Sequence, residues 1–292
     1  MTSSKPVRFL IVGMQRSGTT VMQELLTGHS DIAGSKRELS NMLFRRFDEP
    51  YYATPLPPTA EHEMHLRLFD ALAGLDDQTF AGHKVASGTP MQAKVLHERV
   101  TEHFRDLKII RVKRSDALAG CASFYRAQTT NVWHNRGQKL KKTKIKLPKG
   151  YITQYIYMWW KINQTFEQFS ETHDIFDVSY ESDIETGEIF HDPAVFEFLG
   201  AKHQTVDWIT MKKLSPPLSE SILNFEEARE HADFIMAEFR SGKDIDKLYG
   251  QYGPTFRDIF GRKTRRLVKH PGSMLSKSFW RDLLRPLRHG RI

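Results

Sequence analysis

The chain has 292 residues, 39% of them hydrophobic and 11% aromatic, with a formal net charge of +8 and one cysteine. That content supports a packed core and excludes a disordered chain, and a single cysteine excludes both an internal disulfide framework and a cysteine-rich zinc site. The first apolar run, residues 9–15, stops at Arg16. It is too short for a signal peptide, or for a bilayer span of about 20 apolar residues. A soluble protein of the cytosol, or of a membrane's cytosolic face, is the expectation.

Residues 7–12 form a β-branched apolar run and predict a buried strand. Residues 13–18 read as loop and 19–26 as helix. Four prolines and two tyrosines mark 48–60 as loop, and 61–72 has amphipathic helical spacing. A strand is expected over 80–86. Thr89 then caps a helix with Pro90 in its first position, running to about residue 104. A strand over 107–112 leads to a helix over 115–126. Residues 131–150 read as a basic loop, 151–169 as an aromatic helix, and 175–179 as a strand. Asp192 starts a short helix that Gly200 ends. Pro216 and Pro217 mark loop, and 225–239 is a helix whose acidic first turn suits its dipole. Strands alternating with helices predict an α/β fold: a P-loop-type parallel sheet with helices on both faces. We expect one domain over 1–261 and a basic helical tail over 262–292.

The charge is uneven. Residues 262–292 hold ten Lys/Arg and one acid, and residues 136–149 hold seven Lys/Arg and no acid, which leaves −8 of the total +8 for the rest. Such segments suit phosphate-bearing partners or an anionic membrane surface, or are simply solvated.

The sequence RFLIVGMQRSGTT, residues 8–20, places strand, glycine loop and helix start in succession. Backbone N–H groups and a helix N-terminus there form an anion cradle. Gly13 and Gly18 permit close approach, Arg16 adds a cation, and Ser17, Thr19 and Thr20 add hydroxyl donors. The spacing approaches the nucleotide-triphosphatase loop G-x4-G-K-[ST], but Thr19 stands where the lysine belongs. No second magnesium-holding Asp is evident, so Mg-ATP hydrolysis is not expected. A second cationic cluster, Arg111, Lys113 and Arg114, ends the strand over 107–112. Ser123 follows on the next helix, where it and Arg114 can share a phosphate.

Together these motifs resemble the sulfotransferase superfamily, and most closely the bacterial carbohydrate sulfotransferases of the trehalose 2-sulfotransferase and nodulation-factor type. The matching residues are Gln15 to Thr20, then Arg114, Asp116, Ser123, Arg126, Ala127, Thr130 and Trp133. Val178 to Glu181, Phe198 to Gly200 and Pro217 to Glu220 echo the family more weakly. The resemblance implies that the first loop binds the 5′-phosphosulfate of 3′-phosphoadenosine 5′-phosphosulfate (PAPS), and that Arg114 and Ser123 bind its 3′-phosphate. It implies sulfuryl transfer to a hydroxyl of a carbohydrate or glycolipid, without a metal. The insert at 136–149 departs from the pattern and leaves the acceptor open. The alternatives are a phosphotransferase of the same loop type and a non-enzymatic polyanion or nucleic-acid binder; no nucleic-acid partner is expected.

Transfer to a hydroxyl needs a base. The resemblance implies Glu38 in SKRELSN, with Lys36 and Arg37 able to steer an anionic donor. His83 in GHKVAS is the competing base, since other branches use a histidine, and Lys84 resembles a family lysine near the acceptor cleft. His62 and His65 have helical spacing but no third metal ligand. Cys121, Tyr155, Trp159, Trp160 and Phe166 read as packing, while Trp133 is a candidate to stack on adenine or sugar. In the tail, Leu275, Phe279, Leu283 and Leu287 recur every four residues among Lys and Arg, with Pro286 near the end. That stripe suits an anionic membrane interface, as for a cytoplasmic protein peripheral to a membrane. Docking on the body, or on a second copy in a homo-oligomer, suits it as well.

Overall fold

A computed structural model describes residues 6–34, 69–71, 73–75, 78–130, 132, 144–204 and 217–254. Five strands form one sheet: β1 (Val7–Met14), β2 (Ile32–Gly34), β3 (Phe80–Ser87), β4 (Lys108–Lys113) and β5 (Ile175–Ser179). Their order is β2-β3-β1-β4-β5, and every pairing is parallel. β1 is central: Val7 to Met14 pair with Phe80 to Ser87 on one side, and Phe9 to Gly13 with Lys108 to Val112 on the other. The chain leaves β1 for β2 and β3 on one side and returns for β4 and β5 on the other. The carboxyl end of β1 is thus the topological switch point, where open α/β sheets bind ligands.

The longer helices among the described residues are α1 (Thr19–Thr27), α2 (Pro90–His103), α3 (Ala117–Thr130), α4 (Lys149–Glu167), α5 (Ala194–Leu199), α6 (Phe225–Arg240) and α7 (Ile245–Tyr252). Successive residues of β1 point to opposite faces, and both faces are covered. Phe9 and Ile11 join Met22, Leu25 and Leu26 of α1 and Val195 and Phe196 of α5. Leu10, Val12 and Met14 join Leu96, Leu118, Ile156, Ile235 and other residues of α2, α3, α4 and α6. Each buried side chain of this size contributes about 1.5–3 kcal/mol. A one-residue slip of β1 would exchange the two sets, so the packing fixes its register.

The α/β architecture with a parallel sheet agrees with the sequence reading. Thr89 caps α2 as expected, accepting from Gln92 N at 3.2 Å. Tyr155 and Phe166 of α4 are buried, and Trp159 and Trp160 pack against the same core. Cys121 is fully buried, and burial pushes its thiol pKa up, in keeping with a packing role. Among the elements not anticipated are β2, only three residues long, and α7, capped by Asp244, whose carboxylate accepts from Asp246 N and Lys247 N. The described end of the expected basic loop, from residue 144, is also more structured than its composition suggests. Ile145 bridges to Ile222, with Ile145 N donating to Ser221 O and Leu223 N to Ile145 O. Ile145 and Leu147 are buried while Lys144 and Lys146 face out.

Most of the helix expected over 61–72, with His62 and His65, lies outside the described residues. So do Lys36, Arg37, Glu38, Trp133 and the tail 262–292.

Candidate active site

β1 ends at Met14 and α1 begins at Thr19, so four residues must reverse the chain. Two of them adopt left-handed backbone: Arg16 at φ 74° and Gly18 at φ 103°. Gly18 suits that conformation, whereas a residue with a Cβ is strained there by about 1–2 kcal/mol. Such a turn directs successive N–H groups inward and forms an anion-binding concavity. Gly13 is needed for closeness. A Cβ there would lie 2.5 Å from Ser17 Oγ and 2.8 Å from the Val112 carbonyl. Ser17 N donates to Met14 O at 3.1 Å, and Gln15 N donates to Ser87 O at the end of β3 at 3.0 Å.

The loop and the second motif interlock. Arg16 Nε donates to Ser123 Oγ at 3.0 Å, across 107 residues of sequence. Arg114 Nη1 donates to the Arg16 carbonyl at 3.0 Å. Beneath Arg114 lies the Tyr180 ring, its centroid 4.2 Å from the guanidinium carbon. Burial lowers the Arg16 pKa, and the charge of Arg114 lowers it further. Two crowded, mostly buried guanidinium groups repel each other, and an anion beside them would relieve that repulsion.

The other two cations of the second cluster are engaged within the sheet. Arg111 donates to Asp177 of β5 through Nε at 2.6 Å and Nη2 at 2.8 Å, and to the Phe166 carbonyl at 3.1 Å. Burial raises the Asp177 pKa, but the hydrogen bonds and charge of Arg111, with Lys113, outweigh it and hold the carboxyl below its ordinary range. Lys113 lies 3.8 Å from Glu167 and 3.6 Å from Asp177. Of the three, Arg114 is the one that reaches the loop among the described residues.

Three buried polar atoms around the loop have no hydrogen-bond partner among the described residues: Ser17 Oγ, Ser87 Oγ and Arg114 Nε. Buried polar groups are normally satisfied, so a cluster of orphans at an anion cradle fits a polyanionic ligand. The loop's missing lysine has a counterpart from another strand. Lys84 of β3, itself buried, donates from Nζ to Thr20 Oγ1 at 2.9 Å.

The profile of the Sulfotransferase family matches residues 8–200. The chain belongs to the sulfotransferase family. A search of curated proteins finds no match. Among solved structures, the sulfotransferase domain of an olefin synthase from Synechococcus PCC 7002 is 11% identical with a TM-score of 0.45, covering 81% of this chain and 97% of that one. A sulfotransferase from Alicyclobacillus acidocaldarius is 16% identical with a TM-score of 0.43, covering 80% and 96%. One from Mycobacterium avium is 13% identical with a TM-score of 0.43, covering 83% and 78%. The family assignment rests on the sequence match.

Within this sulfotransferase, the expected donor residues Arg16, Ser17, Gly18, Thr19, Thr20, Arg114 and Ser123 gather at the carboxyl end of β1 and β4. Gln15 packs over Gly88, where an added Cβ would lie 2.9 Å from its side-chain nitrogen. Arg16 and Arg114 meet around Ser123 and the Arg16 carbonyl.

His83, the competing candidate base, sits in the core. It neighbours Lys84 on β3 and so points to the other face of the sheet. There it is fully buried, edge-on to Phe69 at 4.4 Å, and its Nε2 donates to the Phe69 carbonyl at 2.8 Å. Burial lowers its pKa and so disfavours the charged ring. That placement suits a packing group and gives a catalytic His83 no geometric support. In sequence the Tyr180–Glu181 pair is only a Tyr-Glu dipeptide directly after a strand, which cannot reveal a contact 66 residues away. Among the described residues no group of three His, Cys, Asp or Glu could hold a metal ion, and no helix is long and apolar enough to cross a membrane.

Proposed function

We propose that this sulfotransferase uses PAPS as donor and transfers the sulfuryl group to a hydroxyl of a carbohydrate or glycolipid. The observation that carries the donor assignment is the bridge between the two anion motifs. Arg16 reaches Ser123, and Arg114 reaches back to the loop carbonyl. A ligand with anionic groups at two positions would use both motifs at once, and the orphaned Ser17 and Ser87 hydroxyls supply further donors. Loop N–H groups, Ser17, Thr19 and Thr20 would hold the 5′ end, while Arg114, Ser123 and Arg16 would hold the 3′-phosphate.

PAPS supplies the sulfuryl group. The chain's part is to hold reactants in line, stabilise negative charge on the leaving phosphate oxygens and accept the hydroxyl proton. Lys84 and Thr20, in mutual contact, suit charge stabilisation. Glu38 is assigned the proton by resemblance to related carbohydrate sulfotransferases. The carbohydrate or glycolipid acceptor rests on the likeness of residues 15–20 and 114–133 to those enzymes.

Calorimetry with 3′-phosphoadenosine 5′-phosphate (PAP) tests the donor site. One saturable site, with Mg-ATP binding far more weakly, is expected. Preference for Mg-ATP would favour a phosphotransferase. Binding to polyanions alone, falling steeply with salt, would favour a polyanion-binding module. Incubation with labelled donor and glycan or lipid extracts, followed by mass spectrometry for a gained sulfonate, tests the acceptor class. Sulfonation of proteins only would sink the carbohydrate reading.

A further inference from the structure

The turn after β5 reaches across the sheet edge to the turn after β4. Glu181 Oε2 accepts from Ser115 N at 3.0 Å, and Oε1 accepts from Asp116 N at 3.1 Å. The same Oε1 lies 3.8 Å from Arg114 Nε. One carboxylate therefore fixes the two residues that follow Arg114 and faces its guanidinium. Tyr180, the preceding residue, supplies the ring under that guanidinium. Both belong to one π-helical turn, Tyr180–Ile184, closed by Ser179 N donating to Asp183 Oδ2 at 2.7 Å and Glu185 N donating to Tyr180 O at 2.7 Å.

We propose that Glu181 is a positioning residue that sets Arg114 for recognition of the donor's 3′-phosphate. This rests on the PAPS reading above and assigns the source of its 3′-phosphate selectivity. Arginine loses much side-chain freedom on binding, and a guanidinium held in advance by a carboxylate, a ring and the Arg16 carbonyl avoids that loss. A carboxylate is required because two backbone N–H groups need two acceptor oxygens. Glutamine offers one, and would set its own NH2 against the other N–H. The charge balance fits as well. Glu181 offsets one of the two guanidinium charges and leaves the pocket cationic for a phosphate.

The test is calorimetry of PAP and of adenosine 5′-monophosphate (AMP), which lacks the 3′-phosphate, on the full-length protein and on Glu181→Gln. PAP affinity is expected to fall about tenfold, as for loss of a charge-assisted hydrogen bond, with AMP affinity unchanged. Equal losses for both ligands would show a merely structural role and overturn the proposal, as would unchanged PAP affinity. AMP binding itself reports that the variant pocket is folded. In an Arg114→Gln background, Glu181→Gln should cause no further loss, whereas additive losses would sever the two residues and overturn the proposal. If the wild type itself binds PAP and AMP alike, the donor reading fails and this one falls with it. If the wild type discriminates and Glu181→Gln discriminates equally, Glu181 alone is refuted.

Discussion

Replacing Arg16 with glycine should separate binding from stability. Arg16 sits at φ 74° with a side chain, a conformation that glycine adopts freely. Relieving it returns about 1–2 kcal/mol. Glycine's greater freedom in the unfolded chain takes back about 0.5–1 kcal/mol. The Arg16 to Ser123 hydrogen bond, worth about 0.5–1.5 kcal/mol, is also lost. Its loss is countered in part because burial and Arg114 both disfavour the charged Arg16. The opposing contributions nearly cancel, so folding stability should stay within about 1 kcal/mol of wild type. In a domain of this size that is a melting shift of about 2–4 °C.

Binding has no such cancellation. The variant loses one of two cations at the proposed 3′-phosphate position, and a charge-assisted bond is worth about 1.5–3 kcal/mol. PAP affinity should fall about 10- to 100-fold. Differential scanning fluorimetry and calorimetry read the two quantities on one preparation. A large loss of stability with PAP affinity intact would mean that Arg16 is strained for structural reasons, and would refute the reasoning.

Glu38→Gln should retain PAP affinity and lose turnover by about 10²- to 10⁴-fold, read by single-turnover transfer, and near wild-type rates would move the base elsewhere. His83→Gln preserves a donor toward the Phe69 carbonyl and should keep turnover, whereas collapsed turnover in a folded variant would restore His83 as the base. Because burial depresses the folded-state pKa of His83, the unfolded chain binds more protons below its ordinary value of 6.5, so this group makes stability fall as pH drops through that value. His83→Gln should reduce that slope in urea titrations at several pH values, leaving the part due to His173 and His231, which are depressed by burial in the same way. Deleting residues 262–292 should abolish co-sedimentation with phosphatidylglycerol vesicles while PAP binding persists; failure of the full-length protein to sediment at low salt would reject the membrane reading of the tail.

The strand, loop and first helix were legible because everything that forms them is contiguous. A β-branched run, two glycines at fixed spacing and a helical pattern lie within residues 7–26. Local chemistry also placed Thr89 and Pro90 at the start of α2. β2 escaped because three residues carry no period, and its only support is pairing with Ile32, Ala33 and Gly34 set against Phe80, Ala81 and Gly82. The partnership of Arg16 with Ser123 escaped in a different way. Each motif was visible, but their meeting depends on β1 and β4 being neighbours, and no alternation of apolar residues encodes strand order.

The division of labour among Arg111, Lys113 and Arg114 shows how sheet order makes a site out of a charge cluster. In sequence the three cations are equivalent. Alternation along β4 and pairing with β5 decide between them. Arg111 lies opposite Asp177 in the β4–β5 register, and that acid engages it in a bidentate pair. Lys113 is drawn to the same acid and to Glu167. Arg114, the first residue past the strand, has left the ladder and can turn toward the loop. There the Arg16 carbonyl, the Tyr180 ring and Glu181 receive it. A carboxylate at position 177 therefore does more than join two strands. By engaging Arg111 and Lys113, it leaves the proposed donor pocket with the one guanidinium that follows β4, in one orientation, a condition for reading a phosphate by geometry rather than by charge alone.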